Sequence, residues 1–129
     1  MEEYSMQCDV EFTDEFELWW EQLDEAEQIS VAACVGLLEK NGTALRYPYS
    51  SGISGSRHAH MRELRMQHRG RPYRVFYAFD PQRHAILLIG GVKSGNQRWY
   101  EQYVPLADKL YDDHLDTLSK EAIDHGKKV

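Results

Sequence analysis

Residues 60–100 decide the fold, and they read HMRELRMQHRGRPYRVFYAFDPQRHAILLIGGVKSGNQRWY. Three runs in this stretch are rich in the β-branched, aromatic and long aliphatic residues that strands prefer. Two compact breaks separate the runs: Gly70 and Pro72 lie in the first break, and Pro81 lies in the second. Glycine and proline favour turns over regular structure. The stretch therefore predicts an antiparallel meander of three strands.

The alternation of side chains predicts which residues of the meander share a face, because consecutive strand residues point to opposite sides of a sheet. One face would carry Leu64, Met66, Tyr73, Val75, Tyr77 and Phe79. The opposite face would carry Met61, Glu63, Arg65, Arg74, Phe76 and Ala78. Charged side chains on rigid strands are well suited to an active site. We therefore expect Glu63, Arg65 and Arg74 to form a charged site on one face of the sheet.

The segments on either side of the meander predict helices. Thr13 is a good N-cap for a first helix with an acidic first turn. Asp24 precedes Glu27 with the spacing of a capping box, which predicts a second helix that ends at Asn41-Gly42. A closing helix would start at Pro105.

The predicted order of elements is β-α-α-β-β-β-α, with a short first strand between residues 8 and 12. This order predicts an α+β domain spanning residues 1–129, with helices on one face of an antiparallel sheet and the other face partly open. Residues 43–59 would form a long loop, of the kind that is usually functional or mobile. We expect frayed ends over residues 1–6 and 121–129.

The predicted second helix is apolar on nearly every side over residues 29–38. Such a helix is either buried on both sides or docks against a partner. Because burial on both sides is hard to arrange in a small domain, we expect an exposed apolar strip. Exposed apolar strips of this kind mark interaction surfaces. The predicted strip consists of Ile29, Val31, Val35 and Leu38.

The charge of the chain is unevenly distributed, although its formal net charge is −6. Residues 1–30 hold eleven acids and no lysine or arginine, whereas residues 40–100 hold eleven bases and two acids, a local charge of +9. Such asymmetry predicts a site for a polyanion or an acidic partner. The alternative is that basic strands and acidic helices pair within the fold, and charge alone does not decide between them.

Two cysteines and six histidines lack the spacing of a zinc site, so we predict no metal and no cofactor. Cys34 lies in the apolar segment VAACVGLL, which predicts a buried free thiol and fits a reducing cytoplasm. No apolar run approaches the ~20 residues of a membrane helix, and no signal-peptide pattern opens the chain. We therefore expect no contact with a membrane.

Three motifs carry a resemblance to a known family: MRELR, PYRVFYAFD and ILLIGGVKSGNQRWYEQYVPLADKLYDDHL. Together they resemble the RelE/HigB toxins of type II toxin–antitoxin systems, in particular the phage-derived branch. The resemblance covers residues 9–118. It implies a small cytoplasmic toxin that cleaves mRNA, often in the ribosomal A site. It also implies neutralisation by a HigA-like helix-turn-helix antitoxin.

The resemblance also implies roles for individual residues. Arg74 takes the place of a strand arginine that contacts the scissile phosphate, and Tyr100 that of an aromatic residue in the catalytic groove. Lys93 matches a basic position after the last strand. Ser94 stands where ribosome-dependent members have an arginine proposed as general acid, which leaves Lys93 or Arg98 for that role.

Glu63 matches a carboxylate that only some branches of the family have. Glu63 is either a general base or the ion-pair partner of Arg65 or Arg74. Arg65 would act with Arg74 as a second cation that binds the phosphate. Tyr100 would act as a base, stack on a nucleobase or simply pack. The candidate RNA-binding residues around this catalytic set are Arg62, Arg98, His60 and Arg71.

Two other functions remain open from the sequence. The related ParE branch shares the fold but inhibits DNA gyrase and cuts no RNA. A third reading is an inactive regulatory protein that binds through its apolar second helix. An antitoxin would either clamp that helix or lay an acidic segment across Arg65 and Arg74. We favour the helix, because an exposed apolar strip is the costlier surface to leave uncovered.

Overall fold

The computed structural model describes residues 7–95 and 97–127 of the chain. Residues 1–6 and 128–129 of the expected frayed ends therefore lie outside the described residues. In chain order the elements are β1 (Val10–Phe12), α1 (Asp14–Glu21), α2 (Glu25–Asn41), a 3₁₀ turn (Gly42–Ala44), β2 (Ser50–Gly52), β3 (Arg62–His68), β4 (Arg71–Phe79), β5 (Ala85–Val92) and α3 (Gln97–Lys127). Within the described residues, no helix combines the length and the apolar character needed to cross a membrane.

The five strands form one sheet in the order β1-β5-β4-β3-β2. Strands β3, β4 and β5 pair antiparallel, which confirms the predicted meander. Strand β1 pairs with β5 in the parallel direction, so the sheet is mixed and not wholly antiparallel. Strand β2 pairs with β3 inside the segment that we expected to be loop. The serine and glycine residues of β2 have little strand propensity, so pairing with β3 is what extends them.

The predicted starts of the first two helices are confirmed. The Thr13 hydroxyl accepts a hydrogen bond from the Phe16 N–H at 2.9 Å and donates one to the Leu88 carbonyl at 2.6 Å, which ties α1 to β5. Asp24 and Glu27 form the reciprocal capping box at the start of α2. Each cap satisfies backbone donors that a helix start leaves unpaired.

Helices cover both faces of the sheet, whereas the sequence predicted helices on one face and the other face partly open. On one face, α1 and α2 pack on the side that carries Leu64, Tyr73, Val75 and Tyr77. On the other face, α3 packs on Met61, Phe76, Ala78, Ile86 and Leu88. The assignment of residues to the two faces by strand alternation is confirmed. The second face is closed because α3 carries an apolar stripe, formed by Trp99, Val104, Ala107, Leu110 and Tyr111.

Helix α3 begins at Gln97 and not at the predicted Pro105, which lies inside it. Proline in a helix removes the hydrogen bond to the carbonyl four residues earlier, which here belongs to Glu101. Both residues are exposed, so water can satisfy that carbonyl while the apolar stripe stays packed. The helix also continues through residues 121–127, which we expected to fray, because Leu118, Lys120, Glu121 and Ala122 are good helix formers.

Two glycines of β5 let bulky rings touch the sheet from both sides. A Cβ atom at Gly90 would lie 2.3 Å from the ring of Trp19 in α1. A Cβ atom at Gly91 would lie 3.1 Å from the ring of Trp99 in α3. Because Trp99 packs directly on the strand, the first turn of α3 is held against the sheet, and this places the neighbouring Tyr100 over β3 and β4.

The predicted partner strip on α2 is corrected by the structure. Val31 and Leu38 are completely buried and Cys34 is 5% exposed, so these three residues pack α2 onto the sheet. Burial also raises the pKa of the Cys34 thiol to about 11, in keeping with the predicted buried free thiol. Ile29 is 64% exposed and Val35 is half-buried. The sequence of α2 is apolar away from the sheet as well because it has small apolar residues such as Ala32 and Ala33 at exposed positions, so no continuous strip of the predicted residues remains for a partner.

Candidate active site

A buried carboxylate lies at the centre of the charged face of the sheet. Glu63 of β3 is 3% exposed. Arg65 of the same strand lies directly opposite Arg74 of β4 in the antiparallel register, so all three side chains share one face. Tyr100, from the first turn of α3, reaches the same carboxylate. We call Glu63, Arg65, Arg74 and Tyr100 the Glu63 cluster, and the first three are brought together as the sequence predicted.

Both carboxylate oxygens of Glu63 are occupied. The Tyr100 hydroxyl donates to Oε1 at 2.8 Å, and Arg74 Nε lies 3.7 Å from the same oxygen. Arg65 Nη1 donates to Oε2 at 3.1 Å, and the Ser51 hydroxyl donates to it at 2.9 Å. A carboxylate with both oxygens engaged on fixed partners is suited to orienting cations. This geometry therefore favours the ion-pair role for Glu63 over that of a general base.

Arg74 is more buried than its sequence indicates. It is 7% exposed, although an ordinary strand arginine would sit half in solvent. Its Nη1 donates to the Tyr73 carbonyl at 3.0 Å. Its Nε has no hydrogen-bond partner among the described residues, so the pair with Glu63 at 3.7 Å is held by charge. Buried charges of this kind are costly unless they are paired, and Glu63 supplies the pairing.

The hydroxyl of Tyr100 is shared between opposite charges. Burial raises the pKa of Tyr100, and its hydrogen bond to Glu63 raises it further, while contact with the Arg74 guanidinium lowers it. The net direction is upward, so the side chain is a neutral hydrogen-bond donor at neutral pH. This property argues against Tyr100 as a proton acceptor.

Lys93, the fifth catalytic candidate from the sequence, lies beside the Glu63 cluster. Its Nζ lies 5.8 Å from the centre of the Tyr100 ring and donates to the Gly95 carbonyl at 2.9 Å. It sits between the end of β5 and the start of α3. The Glu63 cluster and Lys93 together carry one negative and three positive charges, which is an arrangement that can bind a phosphate.

Of the four candidate RNA-binding residues, Arg62, Arg71 and His60 lie outside this cluster, whereas Arg98 shares the first turn of α3 with Tyr100. Arg62 precedes Glu63 in β3, so its side chain points to the opposite face of the sheet, where its Nε donates to the Ser50 hydroxyl at 2.9 Å. Arg71 is exposed at the start of β4, close to the beginning of α2. His60 is exposed, and its Nε2 lies 3.4 Å from the Tyr111 hydroxyl on α3. Arg98 is exposed on the first turn of α3.

Ser51 is a member of the site that sequence reasoning missed. It lies on β2, opposite Glu63 in the register, and this strand was not predicted. A serine between a second serine and a glycine carries no local signal for such a role. Only the pairing of β2 with β3 reveals it.

Residues 18–112 match a family model described as "Phage derived protein Gp49-like (DUF891)". "Putative toxin HigB2" of Mycobacterium tuberculosis is 39% identical over 99 residues, which are 75% of this chain and 49% of that protein. "Putative toxin HigB3" of the same organism is 38% identical over 111 residues, which are 85% of this chain and 90% of that protein. This chain therefore spans about half the length of the first relative.

One solved structure shows the same fold. The isolated RelE toxin of E. coli superimposes with a TM-score of 0.53 at 10% sequence identity. The match covers 74% of this chain and 95% of that one. At this identity the likeness concerns the fold alone, and it confirms the RelE-like architecture that the sequence predicted.

Proposed function

Because this chain belongs to the Gp49-like family of phage-derived proteins, we propose that it is the toxin of a type II toxin–antitoxin system. In this proposal it acts as one domain in the cytoplasm, as an endoribonuclease that cleaves mRNA in the ribosomal A site. Cleavage stops translation and growth. The observation that carries the proposal is the Glu63 cluster, in which one buried carboxylate holds two arginines on rigid strands.

RNA cleavage of this type needs positioned cations more than it needs reactive side chains. The 2′-hydroxyl of the RNA attacks the adjacent phosphorus and gives its proton to water, and the 5′-oxygen of the next nucleotide departs as its bond to phosphorus breaks and takes up a proton. Negative charge builds up on the non-bridging oxygens as the reaction proceeds. A guanidinium stays charged and pairs two phosphate oxygens at once, so Arg65 and Arg74 are suited to stabilising that charge.

The other members of the site take supporting roles in this proposal. Glu63 is a positioning residue, because both of its oxygens hold Arg65, Arg74, Ser51 and Tyr100 in place. Tyr100 donates a hydrogen bond and is not the base. Lys93 lies at the edge of the cluster, where its ammonium is suited to give a proton to the departing oxygen. Arg65, whose side chain is 27% exposed, is the more accessible of the two arginines and meets the phosphate first, while Arg74 is 7% exposed behind it.

Inducing this chain in cells that lack its antitoxin is expected to arrest growth and to cleave translated mRNA. Primer extension on abundant transcripts should show new 5′ ends within translated regions and none within untranslated control RNA. The gyrase-inhibiting alternative predicts a different result, because an inhibitor that binds a protein surface leaves mRNA intact. Intact mRNA together with accumulating DNA breaks would therefore reject the nuclease function.

The proposed antitoxin partner meets an apolar groove between β1, α1 and α2. The groove has a volume of about 360 Å³ and is lined by Val10, Phe12, Phe16, Glu17, Trp20, Val35, Glu39 and Leu87. Of the four α2 residues that the sequence assigned to the partner, only Val35 lines it. Two glutamates stand among the apolar residues, and α1 adds further acids. This chemistry fits an apolar segment of a helix-turn-helix antitoxin that carries basic residues along its edge.

Replacing Phe12 by glutamate is expected to weaken antitoxin binding at least tenfold, because Phe12 is a 55% exposed aromatic residue at the groove. Toxicity should persist, since the groove is formed away from the Glu63 cluster. Isothermal titration calorimetry with the antitoxin measures the effect. Ile29→Glu is the matched control: Ile29 is 64% exposed on α2 but does not line the groove. If only Ile29→Glu loses binding, the antitoxin binds the exposed surface of α2 and not the groove.

A further inference from the structure

An exposed tyrosine stands beside the Glu63 cluster on an ordered turn. Tyr47 is 72% exposed, more than the other exposed large hydrophobic residues among the described ones. The turn that carries it is closed by the N–H groups of Tyr49 and Ser50, which donate to the Arg46 carbonyl at 3.0 and 3.2 Å. The turn is also tied to β3, because the Arg65 N–H donates to the Tyr49 carbonyl at 2.9 Å. The ring is therefore held in water by a fixed backbone.

Arg65 connects this ring to the proposed phosphate site. Its guanidinium carbon lies 5.2 Å from the centre of the Tyr47 ring, within the range of a cation–π contact. On the other side, its Nη1 donates to Glu63 Oε2 at 3.1 Å. One guanidinium thus touches both the buried carboxylate and the exposed aromatic ring. A ligand that reaches Arg65 with a negative group also meets the Tyr47 ring.

We propose that Tyr47 and Arg65 form a nucleobase subsite for single-stranded RNA. The inference rests on the proposed endoribonuclease function and adds a residue that positions the substrate. The phosphate to be cleaved meets Arg65 and Arg74, and the base beside that phosphate stacks on the exposed ring of Tyr47. Single-stranded RNA is commonly recognised by an aromatic face for the base together with a cation for the backbone.

A purely structural role for Tyr47 predicts a different behaviour. If the ring only steadied Arg65, its loss would slow cleavage at every position of an mRNA by the same factor. A stacking ring binds purines and pyrimidines with different strength, so its loss changes the relative use of cleavage positions. The distribution of cleavage positions therefore separates a positioning role toward RNA from support of Arg65.

The test compares Tyr47→Leu, Tyr47→Trp and Tyr49→Leu with the wild-type chain. Each protein is added to a cell-free translation system programmed with a reporter mRNA, and the 5′ ends are mapped by primer extension over time. Tyr47→Leu should cleave about tenfold more slowly with a changed distribution of positions, since stacking contributes roughly 1–3 kcal/mol per base. Tyr47→Trp should keep most of the rate. Tyr49→Leu, which removes the neighbouring 49% exposed tyrosine, should match the wild type.

Three results would overturn the subsite. If Tyr47→Leu keeps the wild-type rate and the wild-type cleavage positions, the ring does not touch RNA. If Tyr47→Leu cleaves more slowly at every position by the same factor, Tyr47 only holds the Arg65 side chain in place. A lower melting temperature that accounts for the lost rate would make the residue structural. If the chain is not an endoribonuclease at all, the wild-type chain and Tyr49→Leu also leave the mRNA intact, which distinguishes this result from the three above.

Discussion

Replacing Arg74 by alanine is expected to slow mRNA cleavage at least about 100-fold, because preorganised charge at the reacting phosphate contributes several kcal/mol in such sites. The Arg74 guanidinium is buried on β4 between Glu63 and the Tyr73 carbonyl, so its charge is fixed within the site. The measurement is the rate at which 5′ ends appear in a cell-free translation system. It is made at a temperature where circular dichroism shows both proteins to be folded.

Two control variants test whether the effect depends on the guanidinium group and on its position in the site. Arg74→Lys keeps the charge but loses the planar fork, and it should recover only a small part of the rate. Arg62→Ala removes an arginine from the opposite side of β3 and should stay within about threefold of the wild type, since phosphate contacts outside the site are screened by solvent. Undiminished cleavage by folded Arg74→Ala would remove Arg74 from the proposed chemistry.

Replacing Glu63 by alanine is expected to give the largest loss of stability, about 3 kcal/mol, since removal of one partner of a buried ion pair leaves the other charge uncompensated. Here Arg74 would be left buried, and Arg65, Ser51 and Tyr100 would lose an acceptor. Urea unfolding followed by tryptophan fluorescence measures the change. Cleavage should fall as well, because the two arginines would no longer be held at the phosphate.

Two further variants separate the buried charge from the loss of a single contact. Ser51→Ala removes one hydrogen bond to Glu63 and should cost about 1 kcal/mol. The double variant Glu63→Leu with Arg74→Leu removes both charges, and it should recover much of the stability while cleavage stays lost. If Glu63→Ala proved as stable as Ser51→Ala, the carboxylate would not be what holds the cluster together.

The charged face of the sheet was predictable because strand alternation is a local property. Glu63 and Arg65 are two residues apart, and a compact turn brings the next strand back beside them. The period of two then places Arg74 on their side. The same reasoning predicted the caps at Thr13 and Asp24, where each contact spans three residues. The resemblance to RelE/HigB toxins supplied Tyr100 and Lys93, which local patterns do not connect to the sheet.

Only the tertiary structure decided which of these groups are buried. The sequence of α2 is apolar on nearly every side over residues 29–38, and whether Val31 faces a core or a partner depends on where the helix docks. The sequence predicted that α3 starts at Pro105, but the helix begins at Gln97. Its first turns are stabilised by the packing of Trp99 on Gly91, a contact between residues of different elements that a local pattern does not reveal.

By itself, then, the sequence determined the meander, the capped helices, the distribution of side chains between the two faces and the resemblance to a toxin family. The tertiary structure alone decided that Glu63 and Arg74 are buried, that Ser51 joins them and that Tyr47 stands exposed against Arg65. The physical reason is range. Alternation and capping act over two to four residues, whereas burial and ion pairing depend on elements that meet only when β2 pairs at the edge of the sheet and α3 packs on its face.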